Sequence, residues 1–286
     1  MEQLVNSTGL VLEGGGHRGI YTAGVLDVFA ENNISFGAVM GVSAGCIHAA
    51  SFLSRQPGRS LRYTTRFCGD PAYMGFKSLI TTGNYFNVNF CYYRLPEELD
   101  PYDNDAFESN PTPLYAVATD VQTGLPVYHR CESIRGRKIR WVQASSSMPL
   151  VAGVVNIDNR FYLDGGIADS IPIRKMQEMG FAKNIVVLTQ PAGYRKKPNS
   201  MLRFIKLIYK GFPEFVKAAE NRHNVYNAQL DYLEEEERKG NVIIIRPSEK
   251  PEAGRTERNR EKIIRTYELG RRDAEKLLEK VKKFIV

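Results

Sequence analysis

Two short motifs, about a helix apart, carry residue types that could do chemistry. Gly41-Val42-Ser43-Ala44-Gly45 follows the apolar run Ala38-Val39-Met40. Small residues on both sides of a serine let the chain turn sharply from a strand into a helix and expose the hydroxyl, the form of a nucleophile elbow. Upstream, Gly14-Gly15-Gly16-His17-Arg18-Gly19 follows Gly9-Leu10-Val11-Leu12 and Glu13. A glycine-rich loop that opens a helix can turn bare backbone N–H groups toward an anion. A nucleophile beside an anion hole is the minimum apparatus for acyl transfer, so the pair points to a serine hydrolase.

The glycine loop also matches the dinucleotide fingerprint. That motif needs an acidic residue at the end of the second strand to hold a ribose, and here that strand runs into Gly41-Val42-Ser43. An anion hole serves both motifs at once. A serine also needs a base. His48 lies one helical turn past Ser43, His129 ends an apolar stretch, and His223 falls in a polar helical one, so structural roles are expected for all three. His17 sits in the proposed oxyanion loop itself. Asp164 ends an apolar run and is followed by Gly165 and Gly166. A partly desolvated aspartate at a strand tip can accept a serine proton; the plainer alternative is an ordinary Asp-Gly-Gly turn.

The elements that must position these groups are legible from periodicity. Residues 9–13 and 38–40 are short apolar runs, each followed by a helical pattern over 18–32 and 44–53. This βαβα start implies a mostly parallel sheet covered by helices. Residues 57–113 predict loops and short helices, with the acidic stretch 100–105 read as a solvated loop. Strands are expected at 114–119, 125–129, 154–157, 160–163, 184–189 and 242–245. Helices are expected at 140–148, near 172–179, at 201–219 with an interruption near Pro213, at 223–239 and at 257–285. A composition change after Pro191 predicts a core over 1–190 and a mostly helical extension over 191–286, packed on the core and adding a strand.

Composition narrows the class. The chain has 286 residues, a net charge of +7 and four widely spaced cysteines without a C-x-x-C pair. Scattered thiols, no zinc-like cluster and no secretory pattern in residues 1–6 predict a cytoplasmic protein without a metal. Cys46, three residues after Ser43, reads as a packing residue. The basic balance favours anionic surfaces, but no nucleic-acid motif accompanies it, so no nucleic-acid partner is expected.

The three motifs in this order, together with Ala144-Ser145-Ser146-Ser147-Met148-Pro149 and Pro172, resemble the signatures of the patatin-like phospholipase family across residues 8–190. The resemblance implies a three-layer α/β/α sandwich. It implies a Ser43–Asp164 dyad without a catalytic histidine and an oxyanion hole at Gly15 and Gly16, within the loop Gly14 to Gly19 that Arg18 braces. It further implies hydrolysis of lipid esters through an acyl-enzyme, with no cofactor. Two other readings stay open: a general carboxylesterase or thioesterase, and a membrane-associated lipid-binding protein with little turnover. Residues 201–212 mix apolar bulk with Arg203, Lys206 and Lys210, suited to peripheral contact with an anionic bilayer. Core packing with a solvated basic face is the preferred reading there. The Tyr/Phe-rich segment 84–93 could line an acyl channel or pack as core.

Overall fold

The computed structural model describes residues 7–285; residues 1–6, where the sequence predicts no export signal, lie outside the described residues. Among these residues, eight strands form one sheet in the order β5-β6-β3-β2-β1-β7-β8, with β4 also paired to β3. β1 (Thr8–Leu12), β2 (Ala38–Val42), β3 (Leu114–Asp120), β7 (Lys183–Val187) and β8 (Val242–Ile245) run parallel. β4 (Pro126–Cys131), β6 (Arg160–Asp164) and β5 (Val155–Ile157) add the antiparallel part.

The central strands are apolar on both faces, as strands covered on both sides must be. Leu10, Leu12, Val39, Leu114, Ile185 and Val187 face the layer of α1 (Ile20–Glu31), α2 (Ala44–Leu53) and α10 (Arg260–Phe284). Their neighbours Val11, Met40, Val42, Val117 and Val186 face α7 (Ile173–Glu178) and α9 (Pro213–Arg238). The result is a three-layer α/β/α sandwich with a mostly parallel centre. The remaining α-helices among the described residues are α3 (Arg59–Phe67), α4 (Phe76–Thr82), α5 (Asn104–Glu108), α6 (Arg140–Ser145) and α8 (Leu202–Ile208), and Phe90–Leu99 forms a π-helix.

The last helix is bound tightly to the first. Gly24 and Gly270 sit at the crossing of α1 and α10, where a Cβ on Gly270 would lie 3.2 Å from the Tyr21 Cα and one on Gly24 would lie 3.0 Å from the Arg271 nitrogen. The Tyr21 hydroxyl donates to Asp273 at 3.2 Å, and the Tyr267 hydroxyl donates to Asp27 at 2.6 Å.

Three local expectations change. The helices expected at 201–219 and 223–239 are instead the short α8 and one continuous α9, because Pro213 starts a helix and nothing between 219 and 223 breaks one. Asp100 is not solvated: it is buried and takes a bidentate contact from Arg62 at 2.7 and 2.9 Å. α8 does not hide its apolar side. Ile205 and Tyr209 are buried, but Phe204, Leu207 and Ile208 are 53%, 68% and 61% exposed.

Candidate active site

The sheet itself brings Ser43 and Asp164 together. β4 covers one edge of β3, while β2 and β6 meet end to end along the other. β2 ends with Val42 opposite Val117, and the next β3 residue, Ala118, faces Asp164. Ser43 therefore leaves β2 where Asp164 ends β6. The serine adopts φ 55° and ψ −124°, a strained backbone for a residue with a side chain, between strand and helix. Its flanking glycines are spatially required. A Cβ on Gly41 would lie 2.5 Å from the Cys46 Cα, and one on Gly45 would lie 2.5 Å from the Leu12 carbonyl oxygen.

The Ala144–Pro149 block holds both ends of this pair. Ser43 N–H donates to the Ser145 hydroxyl at 2.9 Å, and Asp164 N–H donates to the Ser147 carbonyl at 2.8 Å. The Ser43 hydroxyl lies beside the Asp164 carboxyl, and both line one cleft. Asp164 accepts from Gly166 N–H at 2.8 Å. Burial pushes the Asp164 carboxyl above the usual range. Arg222, the Ser43 hydroxyl, the Gly166 N–H and Arg255 oppose that rise by favouring the charged form.

The glycine loop lies directly over the serine. A Cβ on Gly14 would be 2.7 Å from the Ser43 Cβ. Gly16 has φ +57°, a conformation suited to glycine, and no described group accepts from the N–H of Gly15 or Gly16. Gly19 packs against Ala44 at the start of α2. Arg18 reaches the Thr189 hydroxyl with Nε and Nη2, both at 3.3 Å. That hydroxyl is 3.0 Å from the Gly14 carbonyl, so Arg18 braces the loop through Thr189. His17 turns away from the pair: its Nδ1 is 2.6 Å from the Glu257 carbonyl, and its ring stacks near Tyr73.

The other histidines are placed for structure. His48 Nδ1 lies 3.0 Å from the Ser60 hydroxyl, and burial pushes its pKa down to about 3. His129 stacks on Trp141 with centroids 4.1 Å apart, and His223 contacts the Glu220 carbonyl within α9. Cys46 is fully buried, as a packing residue should be.

On one side of Ser43 opens a largely apolar cavity of about 150 Å³, walled by residues such as Phe86, Tyr92, Leu95, Val142 and Val151. The segment 84–93 thus does both things open to it. Phe86 and Tyr92 line the cavity, and Phe90 packs in a buried aromatic cluster with Phe67 and Tyr73.

A family model described as patatin-like phospholipase matches residues 10–176, the stretch that holds all three motifs. This chain belongs to the patatin-like phospholipase family. A second model, a domain of unknown function (DUF6363), matches residues 212–286. The uncharacterized protein YjjU of Escherichia coli is 29% identical over 192 residues, 64% of this chain and 52% of that protein. Lysophospholipase NTE1 of Cryptococcus neoformans is 29% identical over 63% of this chain and 11% of its own length. The neuropathy target esterase sws of Drosophila melanogaster is 26% identical over 64% and 13%. The match thus spans about half of the bacterial relative and a small part of the other two. The crystal structure of VipD from Legionella pneumophila aligns with a TM-score of 0.48 and 13% identity, over 96% of this chain and 67% of that chain.

In this patatin-like chain, part of the site comes from beyond the family match, and sequence reasoning missed it. Tyr226 on α9 donates to Glu13 Oε1 at 2.7 Å, and Thr189 N–H donates to Glu13 Oε2 at 2.6 Å. The Arg255 carbonyl accepts from His17 N–H at 2.9 Å. Lys196, Arg222 and Arg255 line the cleft that holds Ser43 and Asp164. The signals for these residues were weak: Lys196 lies in the basic run Arg195-Lys196-Lys197, and Arg222 and Arg255 belong to no motif.

Proposed function

We propose that this patatin-like chain is a serine acyl hydrolase of lipid esters, with Ser43 as nucleophile and Asp164 as general base. The observation that carries the reading is the contact between a strained Ser43 and a buried Asp164 at the mouth of an apolar cavity. Ser43 Oγ attacks the ester carbonyl while its proton passes to Asp164. The oxyanion faces the N–H groups of Gly15 and Gly16. Asp164 returns the proton to the departing alcohol, leaving an acyl-enzyme. Water then attacks, giving a proton to Asp164, which passes it to Ser43 Oγ as the fatty acid leaves and the enzyme is restored. Arg222 and Arg255 favour the charged form of this carboxyl, against the burial that raises its pKa.

The apolar cavity favours long acyl chains over small esters. The exposed Phe204, Leu207 and Ile208, with Arg203 on α8 and Lys210 in the turn after it, support peripheral contact with an anionic lipid surface. Among the described residues no helix is long and apolar enough to cross a membrane. On this reading residues 1–190 form the catalytic core and 191–286 an extension that completes the site.

The test is hydrolysis of a medium-chain p-nitrophenyl ester and of phospholipid vesicles by wild type, Ser43→Ala and Asp164→Ala. Loss of both activities in both variants, with unchanged circular dichroism, supports the dyad. Activity that survives Ser43→Ala sinks it.

A further inference from the structure

Ser43 separates two unlike spaces. The apolar cavity lies on one side, and on the other lies a cleft whose charged side chains are Glu13, Asp164, Arg18, Lys196, Arg222 and Arg255. Gly16 and Met148 border both, with Ser43 between them. An amphiphile whose ester sat on Ser43 would put its chain in the first space and its polar end in the second.

Four cationic groups face two carboxylates in this cleft. Glu13 accepts from Tyr226 and Thr189, and Asp164 accepts from Gly166 N–H, so neither carboxylate hydrogen-bonds a cation of the cleft. Among the described residues none of the four cations makes a close salt bridge, and Glu13 and Asp164 act on Arg18 and Arg222 only at longer range. The Arg222 Nε is buried without a hydrogen-bond partner. Buried donors are rarely left that way unless a ligand or water completes them. Gly166 makes the approach of Arg222 feasible: a Cβ there would lie 3.1 Å from Arg222 Nη2 and 3.0 Å from Asp164 Oδ1. The Lys196 ammonium sits 4.1 Å above the Tyr226 ring. Burial and then the neighbouring Arg222 push its pKa down to about 7, so an arriving anion would draw a proton onto it.

We propose that Lys196, Arg222 and Arg255, together with Arg18, form a binding site for a phosphate dianion beside Ser43. Three of these four residues come from the part of the chain after residue 190, and Arg222 and Arg255 lie in the segment matched by the domain of unknown function. That segment would then serve to recognise the polar end of the ligand. Four cations around two occupied carboxylates suit a dianion better than a zwitterionic headgroup, whose own cation they would repel. The ligand would be either the terminal phosphate of an acylglycerol phosphate or a free phosphate. As a statement about substrate, this rests on Ser43 being the nucleophile; as a statement about anion binding, it does not.

Two measurements on the full chain test it. The first is titration calorimetry of Ser43→Ala with inorganic phosphate and with glycerol 3-phosphate, alone and combined with Arg222→Gln, Arg255→Gln or Lys196→Gln. We expect binding in the parent and a weakening of about tenfold or more in each double variant, with melting temperature checked alongside. No binding of either anion, or binding untouched by all three substitutions, overturns the site. The second compares kcat/KM for an acylglycerol phosphate and for the monoacylglycerol of the same chain. A ratio that falls about tenfold in Arg255→Gln assigns the site to the lipid phosphate. An unmoved ratio beside weakened calorimetric binding assigns it to free phosphate. If wild type hydrolyses neither lipid, the nucleophile reading fails while calorimetry still decides the anion site.

Discussion

The backbone N–H of Ser43 donates to the hydroxyl of Ser145, 2.9 Å away and buried. That bond fixes the turn on which the serine stands from an element a hundred residues later in the chain. Ser147, two positions on, holds Asp164 through its carbonyl. One short block therefore sets the spacing of Ser43 and Asp164, the proposed nucleophile and base. Ser145→Ala leaves a buried N–H unpaired and should cost about 1–3 kcal/mol of stability. Esterase kcat should fall about tenfold or more, because small misplacements of reacting groups are costly. Urea denaturation and steady-state kinetics check this; a variant with wild-type kcat would show that Ser145 does not position Ser43.

Gly14→Ala places a methyl 2.7 Å from the Ser43 Cβ and 2.9 Å from the Val42 carbonyl oxygen. The loop must shift away from the serine, taking the Gly15 and Gly16 N–H groups with it. Turnover should drop by roughly 10²–10³, the range for losing one oxyanion donor. Kinetics beside near-UV circular dichroism make the comparison. Retained turnover would place the oxyanion elsewhere.

The pH profile follows from Asp164. Burial raises its pKa, and Arg222 is the first of the influences that lower it again. As the proposed base Asp164 works only when deprotonated, so kcat/KM should fall with decreasing pH through a limb above the ordinary aspartate value of about 3.9. Arg222→Gln removes a lowering influence and should move that limb to higher pH. His48, held near 3 by burial, stays neutral across the same range. A limb that ignores the arginine would mean that another group sets it.

Leu207 is 68% exposed and Phe204 53% exposed on α8. Leu207→Asp and Phe204→Asp should lower hydrolysis of anionic vesicles relative to hydrolysis of a dispersed short-chain ester. Vesicle co-sedimentation should fall in parallel. Equal effects on both substrates would remove α8 from any lipid surface.

Gly270→Ala tests how firmly the extension is joined to the core. Its Cβ would approach the Tyr21 backbone, with the carbonyl carbon at 2.9 Å. Helices α1 and α10 would have to separate, at a cost of about 1–3 kcal/mol, readable as a lower denaturation midpoint. An unchanged midpoint would show that the crossing can relax.

Much of this protein was legible in its sequence, for local reasons. The βαβα start, the elbow around Ser43 and the turn at Asp158 and Asn159, both at positive φ, depend on residues next to one another in the chain. Alternating or continuous apolar runs likewise dictate strands wherever they fall. The resemblance of the glycine loop, the elbow and Asp-Gly-Gly to one family gave the pairing of Ser43 with Asp164 before any coordinates. What the sequence could not give were contacts whose partners lie far apart. The meeting of β2 and β6 along one edge of β3 is a matter of register, which no single strand encodes. The burial of Asp100 against Arg62, the exposure of Leu207 and the convergence of Lys196, Arg222 and Arg255 on Ser43 depend on which helix face meets which neighbour. A lone arginine in a polar helix looks solvated until tertiary packing buries it. The motifs determined the chemistry on offer, and the packing of α9 and the 246–259 segment decided what surrounds it.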